Sequence, residues 1–174
     1  MSFYAIQVMT GKEDAFIELF HKARPDATLH NIKKKIQSRR KGKPVSLSST
    51  VFPGYLFLQC PESIDPDMIK ELRRTKNFTR VLPSTDRISP LNERDTRIIS
   101  QLLSFGKEIG PSLVVFDEQN RIKVIKGPLM GLEGQIVKVD KRKRRAKVRL
   151  DMNDSPILFD LAFEIIEHAE KAEA

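Results

Sequence analysis

Two hydrophobic periods divide this chain. Phe3 to Met9 is aromatic or branched except for Ala5, Gln7 and Met9, with Gln7 the only polar position, which predicts a strand. Thr10-Gly11-Lys12-Glu13 has capping-box spacing, a hydroxyl three residues before a glutamate. Ala15, Phe16, Leu19, Phe20 and Ala23 then recur at helical spacing and stop before Pro25. Tyr55–Cys60 and Phe78–Leu82 read as strands. Asp65-Pro66 opens a short helix with Met68, Ile69 and Leu72 inward. Ser89-Pro90 opens another, with Leu91, Ile98, Ile99, Leu102 and Leu103 on the buried side and Gly106 as its stop. Beyond Gly106 the helical period disappears. Residues 106–119 read as a linker. Short strands follow at Ile122–Ile125, Gly134–Val139, Arg145–Leu150, Ile157–Phe159 and Phe163–Ile166, the spacing of a small closed or nearly closed barrel.

Charge sharpens this picture. The 174 residues carry 31 Lys and Arg against 23 Asp and Glu, a net charge of +8. The excess sits in two islands. From Ala27 to Pro61 there is no acid, and Lys33, Lys34, Lys35, Arg39, Arg40, Lys41 and Lys43 are the bases. The plain reading of that island is a solvated loop or hairpin, and Gly42, Pro44 and the serines after it give it the composition of a mobile loop. The second island holds Lys141, Arg142, Lys143, Arg144, Arg145, Lys147 and Arg149, with the last three alternating with Ala146, Val148 and Leu150. On a strand one face then packs and the other shows cations roughly 7 Å apart, close to the spacing of successive phosphates. Edge protection by charge is the plainer use of such a strand, but seven bases within nine residues exceed it.

Catalysis finds no support. His21, His30 and His168 stand apart from one another and from the single cysteine, Cys60, and His21 and His168 read as surface residues. One cysteine excludes a disulfide framework, and no metal-ligand spacing occurs. Gly127, Gly131 and Gly134 read as strand turns and not as a phosphate loop. The chain reads as a non-enzymatic cytoplasmic protein without cofactor or membrane span.

The first half resembles the amino-terminal domain of the NusG family of transcription elongation factors, in Phe3-Tyr4, Gly11-Lys12-Glu13 and above all Phe52-Pro53-Gly54-Tyr55. The second half resembles the family's KOW module, from Val124-Ile125-Lys126-Gly127-Pro128-Leu129 through Gly131-Leu132-Glu133-Gly134 to the strand pair ending at Leu150. The resemblance implies an α+β chain of two domains. Residues 1–105 would be a split β-α-β (ferredoxin-like or RRM-like) domain that binds bacterial RNA polymerase at its clamp helices. Residues 120–168 would be an SH3-like β-barrel, followed by a tail at 169–174. By position Phe52 and Tyr55 would line the polymerase pocket with Tyr4 nearby, core packing being the alternative for these aromatics. Trp is usual in the family where Phe3 stands, and Leu129 replaces a Phe of the housekeeping factor that helps reach the ribosome or Rho.

Those departures, with the basic strand, look most like the LoaP group of specialised antitermination paralogues. RfaH-like and capsule-locus paralogues are alternative groups. The implied partners are a structured leader RNA hairpin, bound by the seven bases from Lys141 to Arg149, and upstream or non-template DNA, contacted by Lys33 to Lys43. The protein would act as a monomer. A general elongation factor coupling polymerase to a protein, and a ribosome-associated KOW protein on rRNA, are the competing functions.

Overall fold

The computed structural model describes residues 1–167; His168 and the tail 169–174 lie outside the described residues. Along the chain come β1 (Ser2–Val8), α1 (Glu13–Ala23), β2 (Thr28–His30), β3 (Lys33–Arg40), β4 (Lys43–Thr50), β5 (Tyr55–Cys60), α2 (Pro66–Arg74) and β6 (Phe78–Val81). Then follow β7 (Pro83–Ser84), β8 (Arg87–Ile88), α3 (Glu93–Leu103), β9 (Glu108–Ile109), β10 (Ser112–Phe116) and β11 (Ile122–Lys126). After a 3-10 turn at Glu133–Gln135 the chain ends in β12 (Ile136–Asp140), β13 (Arg145–Leu150) and β14 (Ile157–Ile165). Among the described residues no helix is long and apolar enough to cross a membrane. The fold thus mixes helices and sheets.

Two compact units emerge. One gathers Met1–Ile32, Phe52–Arg97 and Asp151–Pro156; the other gathers Lys33–Val51, Ile98–Leu150 and the chain from Ile157. The first unit is built on an antiparallel sheet in the order β2-β5-β1-β6. Alternation along β1 and β5 sends Tyr4, Ile6, Val8, Leu56, Leu58 and Cys60 to one face. There they pack with Phe16 and Phe20 of α1 and Met68 and Leu72 of α2. Each fully buried Phe or Leu contributes about 1.5–3 kcal/mol. The buried stripe of α1 is narrower than its sequence pattern: Ala15, Leu19 and Ala23 are exposed, while Phe16 and Phe20 are buried and Ile17 is half-buried.

The start of α1 departs from the expected capping box. Lys12 occupies the N-cap without a side-chain bond. The Glu13 carboxylate, 5% exposed, instead accepts hydrogen bonds from the backbone N–H of Gly11 at 3.2 Å and of Gly54 at 2.7 Å. The glutamate therefore serves the turn before β5 as well as its own helix. Gly54 has φ +83°, the left-handed region that favours glycine, and a β-carbon there would also crowd Thr10 Oγ1 at 3.0 Å and the Val8 carbonyl at 3.3 Å. At the other helix starts, Asp65 Oδ1 accepts from Met68 N at 2.7 Å, as its sequence suggests. Asn92, and not Ser89, caps α3 through a 2.8 Å bond from Asp95 N to its Oδ1.

In the second unit, five strands pair in the order β11-β10-β14-β13-β12. Four were legible, but the two expected at 157–159 and 163–166 are one strand, β14. The remaining strand, β10, lies in the stretch read as linker and runs parallel to β14, with Ser112 opposite Phe163. Ser112 is fully buried and its hydroxyl accepts from Leu129 N at 2.9 Å. A β-carbon on Gly127 would stand 2.7 Å from Ser112 Cα, which explains the glycine of that turn.

The first basic island is not a loop. β3 and β4 form a hairpin paired from Lys33↔Thr50 to Arg40↔Lys43, and β9 lies parallel to β3. Its turn residues Lys41 and Gly42 both have positive φ, 51° and 76°, which suits the right-handed twist of a two-residue hairpin.

Removing the Glu13 carboxylate strands two N–H groups. Glu13→Ala is expected to lose about 1.5–3 kcal/mol of stability in urea unfolding, and Glu13→Gln, which keeps an acceptor, to lose less. Wild-type stability in Glu13→Ala would contradict the role given to the two bonds.

Candidate functional site

Two surfaces carry the residues singled out by the sequence. In the first unit, Tyr55 opens β5 opposite Gln7 of β1, whose other neighbour is Arg80 of β6. Arg80 Nε donates to Gln7 Oε1 at 2.7 Å, so tyrosine, amide and guanidinium form a row across three strands. Tyr55 is half-buried. Tyr4, by contrast, is 4% exposed, sits on the opposite, helix-covered face, and its hydroxyl accepts from Ile64 N at 3.3 Å. Phe52 is 2% exposed and meets Phe57 edge-on at 5.1 Å. Of the three aromatics, Tyr55 alone offers side-chain surface for a partner. Phe52 sets the turn before it, accepting Tyr55 N on its carbonyl at 2.9 Å.

In the second unit the alternation read along β13 is present: Ala146, Val148 and Leu150 are buried, Arg145 and Arg149 exposed, and Lys147 half-buried. Hairpin geometry fixes the rest. Lys147 stands between Lys138 of β12 and Asp160 of β14, and Arg145 between Asp140 and Ala162. Lys138, Lys143, Arg145 and Lys147 line a depression of about 120 Å³ together with Asp140 and Asp160. The two carboxylates temper the positive field, a feature the run of bases alone conceals. At the tip, Lys141 lies over the Phe116 ring at 4.0 Å and also donates to Asn120, which ties it to the β10–β11 turn. Arg142, Lys143 and Arg144 are exposed, and Arg144 takes φ 57°.

The first island lies in this same unit. Along β3, Lys34, Ile36 and Ser38 are half-buried, whereas Lys35, Gln37, Arg39 and Arg40 are exposed. Lys41 and Lys43 at the turn are exposed, and Lys33 at the base is half-buried. Lys34 Nζ donates to the Asp160 carbonyl at 2.8 Å, and burial pushes its pKa down, with Arg145 adding to the effect. The two islands, about a hundred residues apart in sequence, thus meet at Asp160. Sequence reading had no means of pairing them, since the contact is between strands far apart in the chain. Among the described residues no three His, Cys, Asp or Glu side chains cluster as a metal site.

Asp140 Oδ1 accepts from Lys143 N at 2.9 Å, and that bond holds its carboxyl below the usual carboxylate range. The support it lends the tip is present above the unfolded-state carboxylate pKa of about 3.9 and is lost as pH falls through the lower folded value. The Lys143 amide resonance should hold steady down to about pH 4 and move only below it. Movement centred above that pH would contradict the bond.

The family model described as "Transcription termination factor nusG" matches residues 1–100. The chain is 25% identical over 134 residues to "Transcription termination/antitermination protein NusG" of Thermus thermophilus, covering 73% of each. It is 25% identical over 177 residues to the protein of that name from Streptococcus pyogenes serotype M3, covering 96% of this chain and 94% of that one. A solved structure, "Domain interaction in Thermotoga maritima NusG", is similar with a TM-score of 0.58 at 19% identity, over 92% of this chain and 93% of that one. At that identity the likeness speaks to the fold.

Proposed function

The chain belongs to the NusG family, and from that premise we propose that it is a processive antitermination factor recruited by RNA, a specialised paralogue of the LoaP kind. Residues 1–105 bind bacterial RNA polymerase at its clamp helices through the surface around Tyr55, with Phe52 and Tyr4 supporting it from within. Tyrosine beside a guanidinium is the composition of an interface centre. Residues 120–168 act as the KOW-type module and bind a structured leader RNA hairpin. One observation carries this reading: β13 offers Arg145, Lys147 and Arg149 on the face opposite buried Ala146, Val148 and Leu150. Cations at that spacing follow a phosphate backbone, and Arg forks two bonds to phosphate or to a guanine edge.

The sequence of events follows from tethering. A leader RNA leaving the polymerase is captured by the basic strand. The first unit, joined to it by the chain, then meets the clamp at high effective concentration and opposes the opening that pausing and termination require. The exposed turn of the first hairpin, Arg39, Arg40, Lys41 and Lys43, remains for upstream or non-template DNA. Leu129 is fully buried, so it offers no side chain to a ribosomal or Rho partner. That favours RNA over coupling to a protein. The protein works as a cytoplasmic monomer by binding, without catalysis.

Tyr55→Ala should cut polymerase affinity and terminator readthrough at least about tenfold while sparing RNA binding. Arg145→Ala/Lys147→Ala should lose leader RNA, and with it RNA-dependent readthrough, while keeping polymerase affinity. Gel-shift and single-round transcription assays on the full chain read both. RNA binding lost in both variants, or an effect on ribosome assembly without polymerase binding, would overturn the division of labour.

A further inference from the structure

The second unit holds a groove of about 420 Å³ that neither basic island makes alone. Lys35 and Ile36 of β3 form one side; Lys143, Arg144 and Arg145 of the β12–β13 hairpin form the other. Pro111, Ala162 and Phe163, itself only 2% exposed, form its apolar part, and the acidic residues Asp160 and Glu164 also line it. The Lys34 bond to the Asp160 carbonyl braces the two walls against each other. From this juxtaposition we infer that the groove seats an unpaired stretch of RNA, one strand gripped at once by Lys35 and by Lys143, Arg144 and Arg145.

Three features select that occupant. The volume is that of a small-ligand site and suits about one or two nucleotides. Cations flanking apolar side chains match the two parts of an unpaired nucleotide, a phosphate outside and a base face within. The carboxylates repel phosphate, yet accept from N–H donors on a base edge, as guanine presents, and from the 2′-hydroxyl that RNA has and DNA lacks. An unpaired loop beside an RNA stem supplies all of these. The inference rests on the proposed RNA-binding role of β13 and adds to it that the first island joins the same site.

The test uses the full chain and three probes: an RNA stem closed by an unpaired guanine-containing loop, the same stem as blunt duplex RNA, and the stem–loop in DNA. Lys35→Ala, on an exposed position, should weaken stem–loop RNA binding about fivefold and lower the log–log salt slope by about 0.7. Blunt duplex binding should stay unchanged. Arg145→Ala should weaken both RNA probes, and stem–loop DNA should bind more weakly than its RNA counterpart. Wild-type affinity in Lys35→Ala with a loss in Arg145→Ala would overturn the composite groove and leave the RNA reading of β13 standing. Equal affinity for stem–loop and blunt duplex, or for RNA and DNA stem–loops, would likewise overturn it. If neither variant weakens binding, the RNA reading itself falls and the groove with it.

Discussion

The Glu13 carboxylate joins the two motifs on which the first unit turns. It is buried, and its bond to Gly54 N holds the Phe52–Tyr55 turn against the start of α1. A buried charge is tolerable only when its lone pairs are met, and here they are met by the N–H groups of two glycine turns, Gly11 and Gly54. That closure fixes where β5 begins. It thereby fixes which face Tyr55 takes and brings it beside Gln7 and Arg80. The placing of the half-buried tyrosine thus follows from a carboxylate bonded to the residue before it.

The second unit depends on a different constraint, the period of a strand. Ala146, Val148 and Leu150 are held by the core, so Arg145, Lys147 and Arg149 have no choice of direction. Cations so crowded would repel one another. Asp140 and Asp160, placed beside Arg145 and Lys147 by strand register, reduce that repulsion. The same carboxylates make the surface a patterned one, with acceptors among donors, which suits recognition better than a uniform positive field.

Much of this was legible in the chain. The 3.6 period located α1, α2 and α3 and the 2.0 period β13, because each buries one stripe or one face, while β1, β5 and β6 stood out as short apolar runs. The hairpin of β3 and β4 was hidden by composition: Lys, Arg and Ser dominate it, and its Lys41-Gly42 turn lacks the usual Asn or Asp. β10 was masked by the Gly110-Pro111 pair before it. Glu13 was noticed for the right position and given the wrong partner, since capping spacing is local and Gly54 lies 41 residues away. The meeting of the two basic islands through Lys34 and Asp160 spans 126 residues and leaves no periodic trace. Local rules reach the elements; the site is made by contacts between them.

The central claim is that the basic surface reads structured RNA and not any polyanion. The most direct measurement is the affinity of the full chain for an RNA stem–loop and for duplex DNA across a salt series. About five phosphate contacts predict a log–log slope of roughly −3.5 to −4.5 and a clear preference for RNA at every salt concentration. Equal affinity for RNA and duplex DNA, falling together with salt, would contradict the account and reduce the surface to a general polyanion contact.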